Sequence, residues 1–364
     1  MNIFKATRLF EAWLSAQTIL VPSALTHKHE EMAKTPFHFL RGTFYRWAQV
    51  WPELCREVAD APRVLAVGDL HVASFGTWRD AFGRLIWGID DFDEAWPLPY
   101  TNDLVRLATG ATLAAEAEHF DLSPKHACDI VLDAYEAQLC GGGRPFVLEE
   151  DHAHLRAIAL SDLRAPRPFW QGLDQLRAVA AASVPVVVRG AFERRLSHCG
   201  GYRIVRRTAG IGGLGHARFV ALASWRGGHL AYEAKATSPS AVAWAHPPRG
   251  RIRVRGADAW GQAIRAEDPF VALEGRWFLH RLAPDIAPVD IEHLPKKRDD
   301  EALLYAMAQE TANVHGGPRQ NRPEVLRDLH RRRGRWLRDA VRAASRAVRL
   351  DWEEWRKKPR RVSE

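Results

Sequence analysis

Two acidic clusters and one glycine-rich stretch have the residue types and spacing to do chemistry. GDLHVASFG (residues 68–76) places Asp69 and His71 directly behind an apolar run, and GIDDFDEA (88–95) sets Asp90, Asp91, Asp93 and Glu94 soon after it. GIGGLG (210–215) matches G-x-G-x-x-G through Gly210, Gly212 and Gly215, with Gly213 inside it, and Lys235 comes later in AYEAK. Phosphoryl transfer needs one carboxylate to orient or deprotonate an attacking hydroxyl and another to hold a magnesium ion that bridges phosphates. Asp69 suits the first task and Asp91 the second, with Asp93 as a further metal contact; a turn edged by solvated acids is the plain alternative. His71 orients the loop by hydrogen bonding or is simply a structural histidine.

The glycine stretch is a weak signal alone, since a hairpin loop is the default for such a run. Its C-terminal neighbours narrow the choice. A dinucleotide-binding loop runs into a helix, whereas HARFVALAS reads as a strand, and the Gly-Lys-Ser/Thr ending of a P-loop is missing. Strand, glycine loop, strand, turn, strand is the arrangement in which a hairpin covers nucleotide phosphates, with a lysine on the next strand to neutralise them. Lys235 stands there, sharing a strand face with Ala231 and Glu233, while Tyr232 and Ala234 take the other. An ordinary edge-strand lysine is the competing explanation. A carboxylate partner is expected from the next helix: Asp258 in GADAWGQAIRAED is the best-placed candidate and Glu267 the second, unless either is a solvated helix acid.

The elements around these residues can be read coarsely. APRVLAVGDL opens a short buried strand; ASFGTW and RLIWGID flank RDAFG as a hairpin, which would bring Asp69 and Asp91 together. NDLVRLATGATLAAEAEHF is apolar at helical spacing, with Asn102 or Asp103 placed to cap it, and PKHACDIVLDAYEAQL forms a helix ended by Gly141–Gly143. GYRIVRRTAGIGGLGHARFVALASWRGGHLAYEAKATS alternates with period two and carries a Gly227–Gly228 turn, predicting consecutive antiparallel strands. A helix over 256–267, a strand at GRWFLHRL and helices over 299–357 complete the chain. The expected domains are a helical lobe (1–185) with the catalytic and metal-binding loops, a β-rich nucleotide-binding lobe (186–290), and C-terminal helices (291–364) packing back on the first.

Composition bounds the possibilities. With 46% hydrophobic and 26% charged residues the chain is an ordinary globular sequence, long enough for two lobes. Its net charge of +8 favours anionic ligands, but the excess is concentrated near HRRRGRWLRDAVRAASRAVRL and RKKPRR, a charge run that a solvated helix face explains. Nucleic acid is therefore not the expected partner. Cys55, Cys128, Cys140 and Cys199 lack zinc-site spacing and suit a reducing compartment. Lys5, Arg8 and Glu11 interrupt the N-terminal apolar run, and no uncharged stretch reaches the length of a membrane span. A cytoplasmic protein is expected.

A resemblance joins these motifs. GDLHVASFG and IDDFDEA resemble the H-G-D-x-x-x-x-N and I-D-aromatic-acid motifs of aminoglycoside phosphotransferase-like kinases. More closely, TPFHFLRG (35–42), GDLHVASFGTWRD (68–80), WGIDDFDEAWPLPYTNDLVRLATG (87–110), GIGGLGHARF (210–219) and YEAKATSPSAV (232–242) resemble the uncharacterised bacterial family called domain of unknown function 2252. The resemblance implies an α+β, protein-kinase-like, two-lobed fold with extra helices, using ATP and Mg2+. Asp69 matches the catalytic-loop acid, Asp91 the metal acid, Gly210, Gly212 and Gly215 the phosphate loop, and Lys235 the phosphate-contacting lysine. Arg41 in FLRG is a further candidate for phosphate or substrate contact, because a guanidinium suits phosphate oxygens. Ser74 stands where that pattern has a metal-binding Asn. The catalytic and metal acids precede the glycine loop, the reverse of the usual kinase order, which implies a circular permutation.

The leading expectation is an ATP- and magnesium-dependent phosphotransferase, or an AMP transferase, acting on an unidentified small-molecule or protein hydroxyl or amine. A catalytically impaired nucleotide-binding pseudokinase that regulates a partner is the first alternative. A metal-dependent phosphoesterase built on GDLH is the second.

Overall fold

The computed structural model describes residues 1–162, 165–211, 213, 215–286, 299–332 and 334–357. Gly212 therefore lies outside the described residues. The fold is mixed α+β with several small sheets. Among the described residues no helix is long and apolar enough to cross a membrane.

The chain opens with α1 (Ile3–Ser15), α2 (Pro22–Met32), α3 (Pro36–Gly42), α4 (Phe44–Leu54) and α5 (Arg56–Ala59). Thr35 caps α3 by accepting from the His38 amide, and Pro36 occupies the first helical position, where a missing N–H costs nothing. Next come β1 (Arg63–Ala66), β2 (Phe75–Arg79), β3 (Leu85–Ile89), β4 (Trp96–Pro99), α6 (Tyr100–Glu116), α7 (Pro124–Cys140), β5 (Phe146–Val147), α8 (Ala153–Asp162), α9 (Pro166–Asp174) and α10 (Val186–Leu196). The remainder is β6 (Arg203–Arg206), β7 (Arg218–Trp225), β8 (Gly228–Ala236), α11 (Ala241–Ala245), α12 (Gly256–Gln262), β9 (Ala272–Glu274), β10 (Trp277–Leu282), α13 (Asp300–His315), α14 (Asn321–Arg331) and α15 (Trp336–Arg356).

The largest core joins the N-terminal helices, α6, α7, α13 and α15 through residues such as Phe37, Leu104, Tyr135, Met307 and Trp355. Every residue of α6 from Tyr100 to Ala114 is buried, so this helix is the central post of that core. Two small sheets lie on it: β1 pairs antiparallel with β4, and β2 and β3 form a hairpin extended by β5. A five-stranded antiparallel sheet, in the order β6-β7-β8-β10-β9, forms a separate layer. Its two faces have their own apolar clusters. Phe219, Ala221, Tyr232, Ala234 and Leu279 pack on α10, while Val205, Val220, Leu222, Ala231 and Leu282 pack on α9, as period-two alternation requires.

Several elements differ from their sequence expectation. α6 starts at Tyr100 with Pro99 at its N-cap, so neither Asn102 nor Asp103 caps it; both side chains turn inward to partners on other elements. α12 ends at Gln262 rather than 267. The β7–β8 turn is Arg226–Gly227, both at positive φ, because Trp225 and Gly228 already pair across the hairpin. The short β9 and helices α8 to α10 are not among the elements read from the sequence.

Candidate functional site

The turn that carries Asp69 is held from α6. Asp103, fully buried, accepts hydrogen bonds from the amides of Val67 (2.7 Å) and Gly68 (3.1 Å) and lies 3.0 Å from Nε2 of His315 on α13. Gly68 has φ +83°, and a Cβ there would stand 2.4 Å from the Glu94 carbonyl, so the backbone packs against the second acidic cluster at that point. Gly110 on α6 likewise makes room for the His71 backbone. One turn along α6 from Asp103, Arg106 donates to Asp69 Oδ1 through Nε (3.0 Å) and Nη2, and to the Leu40 carbonyl (2.9 Å). Its guanidinium lies over the rings of Phe44 and Trp47. Burial raises the Asp69 pKa, with Arg106 opposing the shift.

Ser74 closes this turn. Its Oγ accepts from the His71 amide (3.0 Å), meets His71 Nδ1 (3.0 Å) and lies within donating distance of the Asp69 carbonyl (3.2 Å). The Ala73 amide donates to His71 Nδ1 at 3.2 Å, which makes that nitrogen an acceptor. Burial, reinforced by Arg41 and Arg106, holds the His71 pKa well below its usual value, which favours the neutral ring. Ser74, expected as a metal ligand, spends its hydroxyl inside the turn.

The Asp90 amide donates to the Ser74 carbonyl (3.1 Å), and the β2–β3 ladder continues from there. The hairpin thus brings Asp69 and Asp91 to one side of the molecule. Asp93 donates its amide to Asp91 Oδ1 (3.2 Å), turning both carboxylates the same way. They meet Lys235: Nζ lies 3.8 Å from Asp91 Oδ1 and in contact with Asp93 Oδ2. Burial lowers the lysine pKa, but the two aspartates more than offset this and leave it raised. Asp258 is instead paired with Arg255 at the N-cap of its own helix (3.1 Å), and Lys235 meets Asp91 and Asp93 in place of the expected helix partner. Burial, then Asp91, pushes Asp90 up to about 7.

On the sheet, three cross-strand rows share one face: Arg218–Lys235–Phe278, whose lysine meets Asp91 and Asp93, Val220–Glu233–His280, and Leu222–Ala231–Leu282, which packs on α9. Glu233 is fully buried and accepts from Arg218 (2.7 Å) and Arg207 (2.9 Å), with His280 Nε2 at 3.1 Å. Burial opposes its ionisation, yet Arg218, His280 and Arg207 hold its pKa well below the carboxylate range. Glu233 thereby fixes Arg218 beside Lys235. Neither Arg218, Arg207, Arg106 nor Asp103 stands out from the sequence as a site residue; the only available signal is that polar residues interrupt otherwise apolar strand and helix faces.

The glycine loop joins β6 to β7 over these side chains. Gly210 (φ +72°) and Gly215 (φ +103°) adopt the left-handed region. A Cβ at Gly213 would stand 2.5 Å from Arg218 Nη2 and 3.2 Å from Lys235 Cε, so a larger residue here would push the two cations aside. The far end of the loop is tied to the N-terminal segment: the Val21 amide donates to the Gly215 carbonyl (2.8 Å) and the Ala217 amide to the Ile19 carbonyl (3.1 Å).

A cavity of about 240 Å³ lies between sheet, loop and hairpin. Arg41, Arg218, Lys235, Gly210, Gly213, Asp91 and Asp93 are among its polar lining, with Glu233 and His280, and Trp260, Val271, Phe278, Leu282 and Ile286 are among its apolar lining. The hairpin is latched to the segment after β10, where Thr77 Oγ1 donates to the Asp285 carbonyl (3.1 Å) and Arg79 pairs with the Asp285 carboxylate. Among the described residues, Arg218 Nε and Thr237 Oγ1 are buried without a hydrogen-bond partner. No group of three or more His, Cys, Asp or Glu side chains among the described residues could hold a metal ion. A cation at Asp91 and Asp93 would therefore need further oxygens from a ligand, which is how Mg2+ is usually held beside phosphates.

Comparison with known proteins adds one match. Residues 20–162 are similar to the family described as "Uncharacterized protein conserved in bacteria (DUF2252)", a span that includes Arg41, the Asp69 turn and the Asp91 hairpin but ends before the glycine loop. No curated protein and no solved structure matches the chain.

Proposed function

We propose that this protein is a kinase-like phosphotransferase that binds ATP with Mg2+, in a permuted two-lobed arrangement. The observation that carries this is the convergence of Lys235, Arg218 and Gly213 on Asp91 and Asp93 in a cavity that apolar side chains such as Trp260, Val271 and Ile286 also line. Glycine-roofed cations together with apolar lining in one cavity match the needs of a nucleotide's triphosphate and base. The orphaned Arg218 Nε supplies a donor still needing an acceptor oxygen. Asp91 and Asp93 would hold magnesium together with phosphate oxygens, and the ion would neutralise phosphate charge. Lys235 and Arg218 bind phosphate, Glu233 orients Arg218, and Asp69 orients an acceptor hydroxyl and takes its proton.

A specific observation favours the pseudokinase as the second reading: Ser74 Oγ is engaged within its own turn and Asp69 Oδ1 by Arg106. Isothermal titration with an ATP analogue and magnesium, combined with ADP release from ATP, separates the two. Lys235→Met should weaken nucleotide binding at least ~10-fold, and Asp69→Asn should keep binding while reducing ADP formation by ~100-fold or more. ADP formation that survives in both Asp69→Asn and Asp91→Asn would overturn the assignment; tight binding without ADP formation in the unmodified protein would favour the pseudokinase.

A further inference from the structure

A second cavity, of about 40 Å³, lies against Asp69. Phe10 and Leu14 of α1, Lys28 of α2, His216, Asp69 and Glu94 are among its walls, and Asp91 and Asp93 are shared with the large cavity. Two atoms in it are not used by the fold. Both Arg106 contacts fall on Asp69 Oδ1, and among the described residues no hydrogen bond is made to Oδ2. Lys28 is 9% exposed and among the described residues makes no hydrogen bond or ion pair; burial lowers its pKa against the opposing pull of Glu11, Asp69 and Glu94. A buried lysine without a close partner is costly, and such groups mark places where a ligand supplies the missing contact. His216 adds an acceptor: its Nδ1 faces the Ala236 carbonyl at 2.9 Å and so carries the proton, leaving Nε2 as a lone pair.

We propose that this small cavity receives the acceptor of the phosphoryl transfer, and that Lys28 makes it selective for a terminal primary hydroxyl over a terminal amine. The inference rests on the proposed nucleotide site and adds the acceptor class to it. A space of this size holds a hydroxymethyl group and little more, so the rest of the acceptor stays outside. The hydroxyl oxygen donates its hydrogen bond to Asp69 Oδ2 and accepts one from Lys28. In the transfer an oxygen–phosphorus bond forms to the γ-phosphorus of the nucleoside triphosphate, and the bond from that phosphorus to the β,γ-bridging oxygen breaks. The diphosphate leaves with the electron pair, and the hydroxyl proton passes to Asp69 and then to solvent. Arg106 and Lys235 already pair with Asp69, Asp91 and Asp93, and Lys28 takes the remaining cationic place beside Asp69 and Glu94, so a substrate ammonium would add a second positive charge there and meet like-charge repulsion.

The test uses the whole chain. Nucleotide binding is first measured by titration calorimetry; ADP release from ATP is then followed with matched series of small ω-hydroxy and ω-amino compounds, and with serine-containing and lysine-containing peptides to separate small-molecule from peptide sources. The expected result is ADP release stimulated ~10-fold or more by hydroxyl members over their amine counterparts. Lys28→Met should reduce that preference by a similar factor with nucleotide affinity within ~2-fold of the starting value, and Lys28→Arg should retain it. Amines equal to or better than hydroxyls, or a preference unchanged in Lys28→Met, would overturn the acceptor assignment alone, and so would bound nucleotide with no stimulation by either series. Failure to bind nucleotide at all would overturn the phosphotransferase reading itself. The hydroxyl-versus-amine comparison needs no variant, so it stands even if Lys28→Met misfolds.

Discussion

Glu233→Gln tests whether the sheet's charge cluster serves both the fold and the cavity. The carboxylate is fully buried, and Arg218 and Arg207 donate to its two oxygens from 10% and 20% exposed side chains. Removing one member of a buried ion pair costs ~3–5 kcal/mol, because the partner charges remain desolvated. The lower end, about 3 kcal/mol, applies here, since Arg207 keeps some solvent and the amide oxygen can still accept one bond. Because the folded-state pKa of Glu233 is depressed, its contribution is fully present above the unfolded value near ~4.5 and is lost as pH falls through the folded value. Urea unfolding at pH 7, 5.5 and below 4 should therefore show a gap of about 3 kcal/mol between the two proteins that is constant across the first two conditions and narrows in the third. Titration with an ATP analogue should show weaker binding in the variant, because Arg218 loses its anchor beside Lys235. A gap under about 1 kcal/mol at pH 7, or one that grows on acidification, would refute the assignment of Glu233 as the ionised hub.

Gly213→Ala should weaken nucleotide binding ~10-fold or more while shifting stability by less than about 1 kcal/mol, because the new methyl meets the flexible ends of Arg218 and Lys235 rather than backbone; calorimetry and urea unfolding separate the two effects. Gly68→Ala combines a positive φ with a backbone clash at the Glu94 carbonyl, so it should destabilise by ~2–3 kcal/mol in urea unfolding and depress activity with it. Burial pushes Glu310 up to about 7, so its contribution is complete below the unfolded value near ~4.5 and is lost as pH rises through about 7. Glu310→Gln should accordingly flatten the fall in stability between pH 5 and 8, and a variant with an unchanged slope would show that Glu310 is not buried as a neutral acid.

The local chemistry of the site was written in the sequence. Alternation with period two placed Glu233 and Lys235 on one strand face, and turn residues between apolar runs placed β2 against β3, hence Asp69 near Asp91. These are short-range signals, because side-chain direction and hairpin register are set by neighbours a few positions apart. Partner choice was not legible in the same way. Lys235 pairs with Asp91 and Asp93 across a gap of more than a hundred residues, and not with Asp258, because the sheet and hairpin are brought together by packing that no local pattern encodes. Asp103 looked like a helix cap by position, yet the buried post on which it sits turns it toward the Asp69 turn. The same holds for Arg106 and Lys28: residue type announced a charge, and only the tertiary structure decided that one would clamp Asp69 and the other would face a cavity. Burial sets what a charge can do, and burial is a property of the folded chain as a whole.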